Sequence, residues 1–108
     1  MVIIWRPEAS KTLKIIYDFY FVKDAKAAGK ILTSILEAVD RLSFFPEMAP
    51  VEPLLAGEPE KYRSMVAHKL FKVVYTVDMT RKEVVIADIW DCRQNPAKLR
   101  ENVLKKSK

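Results

Sequence analysis

The residues best suited to chemistry lie between positions 61 and 77, where basic side chains gather without an opposing carboxylate. This segment contains Lys61, Arg63, Lys69 and Lys72, together with His68, the only histidine of the chain. Clustered positive charge attracts a polyanion, either nucleic acid or an acidic protein segment. The same charges would also serve as an ordinary solubilising surface. An imidazole, with an unperturbed pKa of about 6.5, is the usual general acid–base group of a catalytic site.

His68 and the single cysteine also have simpler interpretations. His68 falls in an expected turn between strands, where a lone histidine is more often a solvated polar residue. Only general acid–base logic therefore supports a catalytic role for it. Cys92, the sole cysteine, excludes an internal disulfide and fits a reducing cytoplasm. One cysteine and one histidine leave no recognisable zinc-ligand set, so we expect no metal or other cofactor.

Charge is distributed unevenly along this chain of 108 residues, whose net charge is +5. Residues 46–60 carry glutamates without lysine or arginine, whereas residues 98–108 are strongly basic against Glu101 alone. The length fits one domain, residues 1–108, with a single compact core. No apolar run approaches the roughly 20 residues of a membrane-spanning helix, and the N-terminus has the pattern of a strand rather than a signal peptide. We therefore expect a cytoplasmic protein with no membrane partner.

Hydrophobic periodicity predicts a strand followed by two helices in the first half of the chain. Val2–Trp5 is a short apolar run typical of a strand, and Pro7 suits the first turn of a helix. Within residues 8–23, apolar residues recur three and four positions apart, which indicates one face of an amphipathic helix. Asp24 is a suitable N-cap for a second helix with its own apolar stripe, and Pro46 ends that helix. The short link predicts an antiparallel helical hairpin.

The second half of the chain predicts a small sheet. Residues 46–60 are rich in proline and indicate a loop. Three strands are expected after it, at 62–67, 71–77 and 83–90, and a short basic helix at 97–106. The order predicts an α+β, two-layer sandwich, with the N-terminal strand and the helical hairpin packed on a mainly antiparallel sheet (β-α-α-β-β-β). The other face of the sheet would then be left for solvent or a partner.

Three short segments, taken in order, resemble those of a known family. They are Tyr62-Arg63 at the start of a strand, the run FKVVYTV at 71–77, and the ending DCRQNP at 91–96. Together with the element order, they resemble the RelE/ParE family of bacterial toxins from type II toxin–antitoxin pairs. The similarity spans nearly the whole chain. It rests on the order and spacing of the segments, because no single one is diagnostic.

Of the functions that the resemblance implies, we expect inhibition of translation by metal-independent cleavage of ribosome-bound messenger RNA. In family members that cut messenger RNA on the ribosome, basic side chains surround the scissile phosphate, and Arg63, Lys72 and Arg93 match those positions. In that reaction a ribose 2′-hydroxyl attacks the adjacent phosphorus, so fixed cations stabilise the developing negative charge and a proton must be moved. His68 is the candidate for the proton transfer. The resemblance implies no metal cofactor, and it predicts that the three cations converge on the open face of the sheet.

The chain also departs from the ribonuclease pattern. Asp91 and Leu99 stand near positions where many ribonuclease members have a histidine or tyrosine, and Met65 replaces an expected lysine. Asp91 could in addition neutralise Arg93 as an ion pair. Two alternatives therefore stay open: a ParE-like protein that poisons DNA gyrase by binding it without catalysis, and a non-toxic family member that acts as a binding module. Dispersal of the three cations would favour either alternative.

The expected partners follow from the resemblance. In either toxin interpretation, a small acidic antitoxin encoded alongside would bind the chain with a helical or extended segment. The target would be the ribosome and its messenger RNA in the first interpretation, and DNA gyrase in the second. The apolar helical hairpin, an exposed sheet edge and the basic face all suit such docking.

Overall fold

A computed structural model describes residues 1–106 of the chain, which fold into a four-stranded sheet and three α-helices. In chain order, the elements are β1 (Val2–Trp5), α1 (Pro7–Lys23), α2 (Ala25–Phe44), a 3-10 turn (Pro53–Leu55), β2 (Arg63–His68), β3 (Phe71–Asp78), β4 (Glu83–Asp91) and α3 (Pro96–Lys106). The end of the basic tail, at positions 107 and 108, lies outside the described residues. The α+β class and the element order are as the sequence predicts. No helix among residues 1–106 is long and apolar enough to cross a membrane.

Asp24 organises the helical hairpin from both sides. Its backbone N–H donates to the Tyr20 carbonyl and closes α1, while its side-chain Oδ1 accepts from the N–H groups of Lys26 (3.0 Å) and Ala27 (3.2 Å) and caps α2. Such an N-cap satisfies amide groups that have no partner within the helix. One residue therefore joins two antiparallel helices, as the sequence predicts.

The sheet has the strand order β1-β4-β3-β2 and is antiparallel except at one edge, where β1 runs parallel to β4. Its first face packs against the hairpin, because the apolar stripe of α2 meets alternate residues of the central strands. The buried residues there include Ile31, Ile35, Leu42, Val73, Tyr75 and Ile86. This arrangement leaves β1 and β2 as the two edge strands of the sheet.

The second face of the sheet is covered, and the expectation of an open face is wrong there. Leu55 of the 3-10 turn, together with Leu99 and Val103 of α3, packs against that face, where Val74, Ala87 and Trp90 are also buried. The reason lies in β3 and β4, which are apolar on both faces and so need cover on both. Leu99 and Val103 are four residues apart and form the apolar side of α3.

Candidate functional site

Arg63 lies at the start of β2 on the helical side of the sheet, directly opposite Tyr75 of β3. Its guanidinium donates to the carbonyl of Ala49 (2.7 Å) and to the carboxylate of Glu47 (3.4 Å). Its side chain is only 15% exposed. Arg63 therefore fastens the segment that follows α2 onto the sheet, with its charge already paired.

Lys72 lies on the opposite face of the sheet from Arg63. It sits directly across from Trp90, a member of the second buried cluster, and its ammonium is bound to the carboxylate of Glu52. Glu52 is 1% exposed and also accepts from the Ser64 hydroxyl (3.0 Å) and the Leu54 N–H (2.8 Å). Burial alone would raise the pKa of the Glu52 carboxyl. The hydrogen bonds outweigh it and hold that pKa below its usual value.

Arg93 follows β4 and forms a double contact with Asp91. Its Nε donates to Oδ1 (3.0 Å) and its Nη2 to Oδ2 (2.7 Å), while Nη2 also donates to the Tyr20 hydroxyl on α1 (3.0 Å). The hydrogen bonds from Arg93 lower the pKa of the Asp91 carboxyl, and they raise the pKa of Arg93 itself. The ion pair expected from the sequence is therefore formed, and it occupies the fork that a phosphate would need.

His68 ends β2 at a bulge, just before a turn in which Lys69 adopts a left-handed backbone with φ of 45°. Its Nδ1 is buried and has no hydrogen-bond partner among the described residues. The sequence predicts a turn at His68, and the turn begins one residue later, at Lys69. Whether His68 acts in proton transfer stays a prediction.

The structure brings two of the four predicted site residues together and leaves the other two apart. His68 and Arg93 line one cavity of about 460 Å³, whereas Arg63 and Lys72 lie outside it on opposite faces of the sheet. We call this the hairpin-end cavity, because it opens beside the link between α1 and α2. Its lining also includes Tyr20, Lys26, Lys30, Lys69, Leu70 and Phe71. The predicted convergence of Arg63, Lys72 and Arg93 on one face is therefore wrong.

Sequence reasoning missed Lys26 and Lys30 as lining residues, although a signal was present. They are four residues apart near the start of α2, and that spacing puts both on one side of a helix. It also missed Glu52, the partner of Lys72. Glu52 is one of several glutamates in the 46–60 loop, and nothing in the sequence distinguishes the one that becomes buried.

An apolar stripe on α1 is exposed to solvent. Ile15, Phe19 and Val22 recur at helical spacing, and Val22 is 86% exposed. A contiguous exposed apolar surface on a small protein commonly marks a contact site for another protein. The hairpin therefore presents apolar side chains outward as well as toward the sheet.

The fold is thus a helical hairpin on a mainly antiparallel sheet, with Arg93 just after the last strand. A family model described as "ParE toxin of type II toxin-antitoxin system, parDE" matches residues 3–96, and the chain belongs to that family. Among solved structures, the chain is similar to one described as the chromosomal ParDE TA system from P. aeruginosa. The two share 26% identity with a TM-score of 0.66, over 82% of this chain and 92% of that one. Curated protein sequences gave no match.

Proposed function

We propose that this toxin acts as a ParE-like inhibitor that binds DNA gyrase without catalysing a reaction, and that an acidic antitoxin neutralises it. The observation that carries the proposal is the dispersal of the three cations. Arg63 and Lys72 lie on opposite faces of the sheet, and each of the three is paired with a carboxylate of the same chain.

Dispersal matters because ribonuclease chemistry needs several cations on one phosphate. The developing charge is stabilised only by donors that already point at it, within hydrogen-bond distance. Lys72 is bound to Glu52 on the face of the sheet that carries Trp90, and its side chain is 18% exposed. Freeing it would leave the buried Glu52 carboxylate unpaired, which is costly. A toxin that acts by binding alone does not need several cations directed at one phosphate.

The antitoxin part of the proposal is supported by the surface of the hairpin and by net charge. The exposed stripe of Ile15, Phe19 and Val22 offers apolar contact area, and β1 offers an edge of the sheet for strand addition. The net charge of +5 favours an acidic partner. Both partners would be met in the cytoplasm.

A metal-independent ribonuclease acting on ribosome-bound messenger RNA is the second candidate, and one observation favours it. His68 and Arg93 line the same cavity, so an acid–base group and a cation lie near one another. In that case substrate would have to displace Asp91 from Arg93.

Controlled expression of the chain in a bacterial host separates these functions. We expect altered plasmid supercoiling and gyrase-linked DNA breaks, with a reporter messenger RNA left intact in primer extension. Cleavages of the message that vanish in Arg93→Ala would instead support the ribonuclease. If growth, message and topology are all unchanged, the proposal fails and only the fold assignment stands.

A further inference from the structure

The hairpin-end cavity has an apolar interior and a basic rim. Ala27 and Ile31 of α2 line it together with Leu70 and Phe71 from the β2–β3 turn and β3, and its volume is about 460 Å³. A cavity of that size is large enough to bury one large side chain or a small organic ligand. Its apolar lining favours an occupant that brings an apolar group into it.

Three lysines line the same cavity with their charges free to meet a ligand. Lys26 and Lys30 come from one side of α2, and Lys69 comes from the β2–β3 turn. None of the ion pairs found among residues 1–106 involves these lysines. The one carboxylate in the lining is Asp24, whose Oδ1 is engaged in capping α2. A ligand carboxylate would therefore relieve the mutual repulsion of the lysines.

One further detail points to a ligand here. The buried Nδ1 of His68 has no hydrogen-bond partner among the described residues, although buried polar atoms nearly always have one. His68 lines the cavity next to Lys69.

A phosphate would be a poorer occupant than a carboxylate-bearing peptide. Arg93 has the planar fork best suited to phosphate, but Asp91 and the Tyr20 hydroxyl already occupy it. The remaining cations are lysines around an apolar interior, which suits an apolar side chain flanked by carboxylates.

We infer that the hairpin-end cavity binds an acidic peptide segment, with one apolar side chain of that segment inside the cavity and its neighbouring carboxylates on Lys26, Lys30 and Lys69. The segment is part of the antitoxin, and this identity alone rests on the proposed function. The site gives the acidic partner a defined contact in addition to the apolar stripe of α1.

The test uses the full chain and an acetylated, amidated pentapeptide in which one leucine is flanked by two glutamates on each side. Binding is followed by amide chemical shifts in nuclear magnetic resonance spectra. We expect shifts centred on Lys26, Lys69 and Leu70, and at least tenfold weaker binding when glutamine replaces every glutamate or alanine replaces the leucine. Equal binding of these control peptides, or shifts elsewhere, would overturn the inference, as would inorganic phosphate that competes at the same concentration as the peptide.

Lys82 provides a matched control for Lys69, because it is the other lysine with a left-handed backbone, at φ of 55° in the β3–β4 turn. Lys69→Gly and Lys82→Gly make the same chemical and backbone change, and thermal unfolding reports whether each variant folds. We expect Lys69→Gly to weaken peptide binding at least fivefold, and Lys30→Gln likewise, while Lys82→Gly binds as the natural chain does. Equal binding by all variants would refute the site. Gyrase inhibition is measured in a separate assay. A failure of peptide binding and a failure of gyrase inhibition can therefore be told apart.

Discussion

At the residue scale, the basic side chains that suggest a phosphate site serve first to hold the protein together. Lys72 neutralises the buried Glu52, and Arg63 fastens the segment after α2 through Ala49 and Glu47. The positive charge of Arg63 and Lys72 and their positions on strands could be predicted from the sequence. The partner of Lys72 could not, because Glu52 lies 20 residues away across a proline-rich loop whose path has no periodic signal.

Replacing Lys72 with methionine tests this structural role. Lys72→Met keeps the apolar stem but leaves the Glu52 carboxylate buried without its cation, so we expect a loss of about 1–3 kcal/mol in the free energy of unfolding. Urea denaturation measures the loss, with the exposed Lys61→Met as the control. In the double variant with Glu52→Gln, part of the loss should be recovered. A loss no larger than that of Lys61→Met would refute the role.

The lowered pKa of Glu52 predicts how the stability of the fold depends on pH. Its pKa in the folded chain is lowered, so its contribution to stability is fully present above the unfolded value of about 4.3 and is lost as the pH falls through the folded pKa. We expect the free energy of unfolding to fall between about pH 5 and pH 3. That fall should be smaller in Glu52→Gln than in Glu101→Gln, where the carboxylate is exposed. If the free energy of unfolding depends on pH equally in the two variants, Glu52 is not the source of the dependence.

At the element scale, the helices and strands follow from periodicity, while the packing of α3 does not. The 3.6-residue stripe of α2 and the alternation in β3 predict these elements to within a residue or two. The predicted strand at 62–67 is displaced by one residue, since β2 begins at Arg63 and ends at His68. The sequence of the terminal helix indicates a basic, solvent-exposed helix. Only the four-residue spacing of Leu99 and Val103 indicates an apolar side that could cover the second face of the sheet.

Truncating Leu99 tests this cover. Leu99 is fully buried against the second face, so we expect Leu99→Ala to lower the free energy of unfolding by about 2–5 kcal/mol. Val22→Ala, at an exposed position of α1, should change it by no more than about 0.5 kcal/mol. Chemical denaturation of both variants gives the comparison. Similar small losses would mean that α3 does not close that face.

At the scale of the whole molecule, the fold separates the surfaces that could meet partners. The apolar stripe of α1 and the hairpin-end cavity lie on the helical hairpin, whereas the second face of the sheet is occupied by α3 and the 3-10 turn. The sequence predicted the family and the hairpin. It could not predict that Arg63 and Lys72 lie on opposite faces, because a strand-pairing register is set by the whole sheet.

The central claim is tested most directly with purified DNA gyrase, relaxed plasmid and ATP. We expect the chain to block supercoiling in a dose-dependent way. We expect Lys72→Met to do the same at a temperature where it remains folded, because Lys72 is paired with the buried Glu52. In parallel, messenger RNA on purified ribosomes should stay intact. Unimpaired supercoiling together with cleavage of ribosome-bound message, lost in Lys72→Met, would contradict the account.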